Sequence, residues 1–320
     1  MIQFALIGLG AWGKNYISTI DSFTDCRIKY VCSKTPQILQ SLKGNYVKTT
    51  DYRELFTYSD IDGVIIATPA LTHFQITKDF LNHGYNVLVE KPLTTNLEEG
   101  KTLQRISQKK KKILMVGYIY LYNPAFAKLL RIIKKIGKVR YIQTEGFDWT
   151  PSRKDISVLW DWGSHDISMC LQIMQQFPKK IHASAYGINK NVGTVSLALY
   201  FKEAQAIINF GCILPKKKRE VFVIGEKGSI IFDDTAEKKL IFFQNRGLAY
   251  SNDNLEARKT YPSYGNISPL AAEIRAFRDA IKGRKLPMSD IQYALGVTKI
   301  LTLSEQAIYK NTFYNKAHSD

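Results

Sequence analysis

Near its start the chain reads Gly8-Leu9-Gly10-Ala11-Trp12-Gly13, directly after an apolar run from Ile2 to Ile7. Glycines at this spacing suit a loop that wraps a pyrophosphate. Gly8 allows a tight turn, Gly10 lets backbone approach phosphate closely, and Gly13 lets the next helix pack on the strand. That helix would point its free N–H groups and positive dipole end at the phosphates. Two further stretches, Ala67-Thr68-Pro69 with His73 behind it and Glu90-Lys91-Pro92, each close a strand-like run. Asp161 stands four residues before His165, so a helical turn there would set a carboxylate and an imidazole on one face. An acidic residue is expected about 20 residues beyond the glycine loop to bind a ribose 2′-hydroxyl. This chain has Ser33-Lys34 at that place. Without a carboxylate to repel a 2′-phosphate, and with Lys34 adding positive charge, the pair favours NADP(H) over NAD(H).

Glycine patterns of this length also arise in ordinary turns, so the surrounding elements decide. Strand-like runs at 2–7, 28–32, 64–67, 87–89 and 113–116 alternate with helical patterns at 14–21, 36–42, 52–57, 73–83 and 97–108. Such alternation marks a parallel sheet wound on both faces. Asp51 and Asn96 stand where helix caps belong. After about residue 120 the texture changes. A helical pattern at 124–135 ends at Gly137, a strand-like 139–145 follows, and Ile167, Leu171 and Met174 then share a helical face. Six β-rich runs between 181 and 243 come without helices between them, which implies an antiparallel sheet. Helical patterns at 269–281 and 290–309 close the chain. The expected architecture is therefore α/β: a Rossmann domain over 1–119 with a doubly wound parallel sheet, then an α+β domain over 120–320 for substrate binding and oligomerisation. The second carries a large, mostly antiparallel, open-faced sheet.

The glycine loop with its Trp-Gly-Lys-Asn extension, Ala67-Thr68-Pro69, Glu90-Lys91-Pro92 and Asp161…His165-Asp166 together resemble the Gfo/Idh/MocA oxidoreductase family. Gly225-Glu226-Lys227-Gly228-Ser229 resembles its strand–turn–strand signature, so the similarity runs in order over essentially the whole chain. The resemblance implies an NAD(P)-dependent oxidoreductase acting on CH–OH groups. It would move a hydride between nicotinamide and a hydroxyl or keto carbon of a sugar, nucleotide sugar or cyclitol, bound in a cleft between the domains. In that pattern His165 is the acid/base, Asp161 its partner or a substrate ligand, and Lys91 the bridge between substrate hydroxyl and nicotinamide ribose. Cofactor contacts are expected from Gly8, Gly10, Ala11, Trp12, Gly13, Ser33, Lys34, Thr68, Pro69, His73, Glu90 and Lys91. The stretch from Tyr118 to His165 is similar to a subgroup acting on nucleotide-linked sugars, which makes Tyr118, Asn123, Trp149, Arg153 and Trp162 candidate substrate contacts. Arg153 suits a carboxylate or phosphate in a forked hydrogen bond, and the tryptophans suit a sugar face. The alternative is a non-catalytic sensor of dinucleotide or sugar on the same fold, but Lys91, Asp161 and His165 are all present.

At 320 residues the chain is long enough for about two domains. Its net charge of +17 is concentrated at Lys109 to Lys112, at Lys134, Lys135 and Lys138, and at Lys216-Lys217-Lys218-Arg219. No nucleic-acid-binding signature accompanies these clusters, so they read as solvated turns and helix ends rather than a nucleic-acid surface. The four cysteines lack metal-ligand spacing, which implies reduced, mostly buried thiols, no metal and a cytoplasmic setting. No apolar stretch is long enough for a membrane span, and no signal segment precedes the first strand. An open sheet face needs covering, so a homodimer or homotetramer is expected.

Overall fold

In the computed structural model, residues 1–150, 155–189, 192–244 and 258–316 are described. They form two compact units: Met1–Ile119 with Ser268–Thr298, and Tyr120–Ile267 with Lys299 onward. The return of Ser268–Thr298 to the first unit differs from the continuous second domain expected from the sequence.

The first unit is built on a parallel six-stranded sheet in the order β3-β2-β1-β4-β5-β6. Its strands are β1 (Ile2–Ile7), β2 (Cys26–Cys32), β3 (Val47–Thr49), β4 (Gly63–Ile66), β5 (Asn86–Glu90) and β6 (Leu114–Gly117). β4 and β6 are buried throughout, as continuous apolar runs in a sheet covered on both faces must be. Helices α1 (Ala11–Ile20), α2 (Pro36–Ser41), α3 (His73–Asn82) and α4 (Leu97–Lys110) connect strands. Asn96 caps α4 by accepting from the N–H groups of Glu98 and Glu99, and Lys109 and Lys110 fall in its last turn, where lysine suits the dipole. The expected helix at 52–57 is a 3-10 turn capped by Asp51, a form used for short pieces. β3, only three residues long, carries too little pattern to be read from the sequence.

Helix α7 (Pro269–Ile281, numbered with the later elements below) explains the chain's return. Phe277 stacks on Phe4 of β1 at 5.8 Å. A Cβ at Gly63 would meet Ile281 at 2.7 Å and Phe277 at 3.0 Å, so glycine lets this helix lie on the sheet. Arg278 also donates to Asp25 at 2.9 Å.

The second unit holds an eight-stranded sheet, β14-β13-β12-β11-β7-β10-β9-β8. Its strands are β7 (Val139–Phe147), β8 (Lys180–Asn189), β9 (Val192–Tyr200), β10 (Gln205–Gly211), β11 (Lys218–Gly225), β12 (Gly228–Asp233), β13 (Leu240–Gln244) and β14 (Arg258–Thr260). All neighbours are antiparallel except β10 and β7. Burial alternates along β7, β10, β11 and β12, so one face is core and the other is half-exposed. Helix α5 (Pro124–Ile132) lies against β12, and α6 (Val158–Met174) covers β7, β9 and β10 on the core face. Gly163 of α6 lies where a Cβ would meet the Phe210 ring at 2.9 Å, which lets α6 sit close to the sheet. Helix α8 (Ile291–Lys316) begins in the first unit and continues in the second.

Candidate functional site

In the first unit the loops after β1, β4 and β5 gather at the carboxyl ends of adjacent strands. That is the ligand-binding side of an open α/β sheet, next to the point where the strand order reverses. Gly8 has φ +98, and a Cβ there would meet the Ala67 carbonyl oxygen at 2.6 Å. A Cβ at Gly13 would lie 2.1 Å from the Gly8 oxygen. Both positions therefore require glycine, one for backbone conformation and strand proximity, the other so that α1 can close on the loop. Gly10 faces open space, and no side chain caps α1, whose first residues Ala11 and Trp12 are exposed. A loop with unshielded N–H groups and a clear approach fits a dinucleotide pyrophosphate.

At the end of β2, Ser33 is buried and accepts from the Thr35 N–H at 3.3 Å, while Lys34 is exposed. His73 is buried with Nδ1 2.7 Å from the Pro92 carbonyl and Nε2 2.9 Å from that of Thr68. It ties the loops after β4 and β5 together, and both ring nitrogens face the chain's own backbone. Thr72 donates to Thr68 at 2.7 Å, and Pro69 is exposed beside it. Glu90 and Lys91 are both buried at the end of β5, where the Lys91 N–H donates to Glu90 Oε2 at 3.2 Å. Tyr118 is buried, edge-on to Tyr293 at 6.3 Å, and its hydroxyl has no hydrogen-bond partner among the described residues.

In the second unit Asp161 and His165 lie one turn apart on α6, so the expected shared face exists. The Tyr120 ring stands perpendicular to the His165 ring at 5.0 Å. Beyond it, the Arg219 guanidinium sits 4.8 Å from the centre of Tyr120 and 5.6 Å from that of Trp162. Arg219 donates to Asp166 at 2.6 Å, with both side chains buried. Gly146 on β7 makes room: a Cβ would come within 2.5 Å of that guanidinium. Burial pushes the Asp166 carboxyl above its ordinary value, and the neighbouring guanidinium opposes that rise. Burial also works against the charge of Arg219, but Asp166 and Tyr120 outweigh it.

Among the candidate substrate contacts, Asn123 is committed elsewhere. Asn123 is buried, caps α5 through the Ala125 N–H at 2.9 Å and donates to Asp234 at 2.9 Å, so its amide is committed inside the fold. Trp149 is exposed just past β7, whereas Trp162 is half-buried beside Arg219. Arg153 lies outside the described residues. The third basic cluster also differs from a solvated turn. Lys216 and Lys217 are exposed, but Lys218 pairs with Glu145 and Arg219 is core. The strand's two-residue alternation, running through Arg219, Val221 and Val223, is the signal that would have found it.

The four cysteines are free and buried, as expected, and burial pushes the Cys32 thiol up to about 12. No helix among the described residues is long and apolar enough to cross a membrane.

Residues 2–118 match the GFO_IDH_MocA oxidoreductase family with its NAD-binding Rossmann fold, and residues 126–231 match the GFO/IDH/MocA C-terminal domain. A crystal structure from Magnetospirillum magnetotacticum MS-1, provisionally called an oxidoreductase, is similar with a TM-score of 0.85 and 30% identity. That match covers 94% of this chain and 98% of the other. The scyllo-inositol 2-dehydrogenase (NADP(+)) IolW of Bacillus subtilis (strain 168) is 25% identical over 249 residues, 72% of this chain and 68% of the relative. The structure of UDP-N-acetylglucosamine 3-dehydrogenase GnnA from Acidithiobacillus ferrooxidans has a TM-score of 0.84 at 20% identity, covering 96% and 97%. This chain belongs to the Gfo/Idh/MocA oxidoreductase family, and its first unit is an NAD-binding Rossmann domain.

Proposed function

We propose that the chain interconverts a hydroxyl and a keto group on a sugar, nucleotide sugar or cyclitol, with NADP(H) preferred over NAD(H). The observation that carries this reading is the Asp161–His165 pair on one face of α6, in a chain whose Rossmann strand β5 ends at Glu90 with Lys91 directly after it. The dinucleotide, when bound, supplies the hydride acceptor at nicotinamide C4. His165 takes the hydroxyl proton as the carbinol C–H electrons leave, and the O–H electrons become the second C–O bond. In the reverse direction the imidazolium returns that proton. Asp161 orients the ring, and the Lys91 ammonium stabilises charge developing on the oxygen. Gly8, Gly10, Ala11, Trp12 and Gly13 hold the pyrophosphate, with Thr68 and Pro69 beside them. Ser33 and Lys34 accept a 2′-phosphate. Trp149, Trp162 and Arg153 contact the substrate, Arg153 through an anionic group.

The names of the two dehydrogenase relatives support a polyhydroxylated substrate. Half-exposed Ile207, Phe222, Ile224, Ile231 and Phe243 on the open sheet face support self-association into a homodimer or homotetramer. Buried free thiols support a cytoplasmic setting.

Fluorescence titration with NADH and NADPH, followed by a screen of sugars, nucleotide sugars and cyclitols at the nicotinamide absorbance band, tests this. Lys91→Ala and His165→Ala are each expected to lose about 100- to 10,000-fold in turnover with dinucleotide binding retained. Full activity in either variant rejects its role, and tighter NADH than NADPH binding rejects the cofactor preference.

A further inference from the structure

Next to Lys91 in the chain, the buried Glu90 carboxyl and a second buried carboxyl meet at one hydroxyl. Tyr16 of α1 and Glu273 of α7 are fully buried, and Glu90 nearly so. The Tyr16 hydroxyl oxygen lies 2.9 Å from Glu90 Oε1 and 3.1 Å from Glu273 Oε1. A phenol carries a single proton, so it can donate to only one of these carboxyls. The other short contact needs a proton of its own. Glu273 Oε2 has no hydrogen-bond partner among the described residues, so an ionised Glu273 would bury a carboxylate beside a second one with an oxygen unserved. Glu90, by contrast, accepts from the Lys91 N–H as well. Gly117 backs onto it, with a Cβ there 3.4 Å from the carboxyl.

We propose that Glu273 holds a proton in the native protein and, through Tyr16, keeps Glu90 as the single anion beside Lys91, so that Glu273 and Tyr16 are positioning residues for the reaction. The Glu273 O–H donates to the Tyr16 oxygen, and the Tyr16 O–H donates to Glu90 Oε1. The groups facing Glu273 are Tyr16 from α1 and Glu90 from β5, with Lys91 the next residue in the chain. Burial and the Glu90 charge both push the Glu273 carboxyl well above its ordinary range, and burial likewise keeps the Tyr16 phenol protonated. The positioning role rests on the dehydrogenase reading above, whereas the proton itself does not.

Infrared spectra of the full chain at ~pH 7, where an ordinary glutamate is ionised, test the proton. Wild type is expected to show a protonated-carboxyl C=O band that Glu273→Gln lacks and that Tyr16→Phe shifts by removing its partner. Should Glu273→Gln fail to fold, the wild-type band and its response to Tyr16→Phe decide whether the proton is there. A wild type without the band, or one whose band ignores both variants, overturns the proposal. For positioning, Tyr16→Phe is expected to lower kcat about tenfold with dinucleotide affinity unchanged. A present band with unchanged turnover in Tyr16→Phe overturns the positioning role alone. A chain with no dehydrogenase activity at all, but with the band, overturns the functional reading and the positioning role, and leaves the proton established.

Discussion

Each unit buries a carboxyl close to a residue proposed to act in the reaction, and the two units solve the resulting problem differently. In the second unit Asp166, next in the chain to His165, faces the Arg219 guanidinium at 2.6 Å. In the first unit Glu273 faces a phenol and another glutamate, with no cation facing it among the described residues. A buried charge can be offset by an opposite charge or removed by a proton. The first solution holds wherever Asp166 is ionised and Arg219 charged, a range that burial shortens at the acid end by raising the Asp166 carboxyl. The second ties stability to pH. The same residue class thus serves two electrostatic designs in one chain.

The largest effect expected on this comparison comes from removing the cation. Arg219→Met leaves Asp166 buried and uncompensated and should lower unfolding stability by about 3–5 kcal/mol, measured by guanidinium chloride denaturation. Adding Asp166→Leu should recover much of that loss, because an apolar pair of similar volume often replaces a buried ion pair without penalty. A loss below about 1 kcal/mol for Arg219→Met would show that the pair is not the offsetting element.

Tyr16→Phe should cost less, about 1–3 kcal/mol, since it strips a hydrogen-bond partner from two buried carboxyls. Wild-type stability after this change would break the comparison from the other side. The smallest effect is expected for Glu273→Gln, within about 0.5 kcal/mol of wild type at ~pH 6. Its sign follows from the raised folded value of Glu273. Above the ordinary carboxylate range the unfolded chain has released this proton and the folded chain has not, so wild-type stability falls as pH rises toward the folded value. Glutamine does not titrate, so the variant should gain on wild type as pH rises above the ordinary carboxylate range, read from melting temperature. Parallel pH profiles for the two proteins would remove the proton from the account.

Much of the first unit was legible because its signals are local. Gly13 and the Asn96 cap act within a few residues of themselves, and Gly8 takes the turn its place after β1 implied while also meeting the end of β4 at Ala67. Asp161 and His165 were legible for the same reason, being one helical turn apart. What was missed is long-range or hidden by composition. Glu273 meets Tyr16 across 257 positions, and nothing in the pattern of α7 announces that one of its carboxyls faces a sheet from the start of the chain. Arg219 was concealed by three lysines, because the charge run masked the strand periodicity that turns every second residue inward. Asn123 drew a functional reading, although the Asn123-Pro124 pair also carries a helix-start signal, which is the role it fills.

The late return of α7 also orders events during synthesis. The parallel sheet is complete in sequence at Gly117, yet the helix that covers Phe4 and Gly63 begins at Pro269. The intervening stretch, residues 118–268, is 151 residues long. At ribosomal speeds of about 5–20 residues per second, that face waits roughly 8–30 s for its cover. During that interval the nascent Rossmann sheet exposes Phe4 and lacks Glu273. A ribosome-bound chain stopped before α7 should therefore recruit chaperones that a chain stopped after it does not.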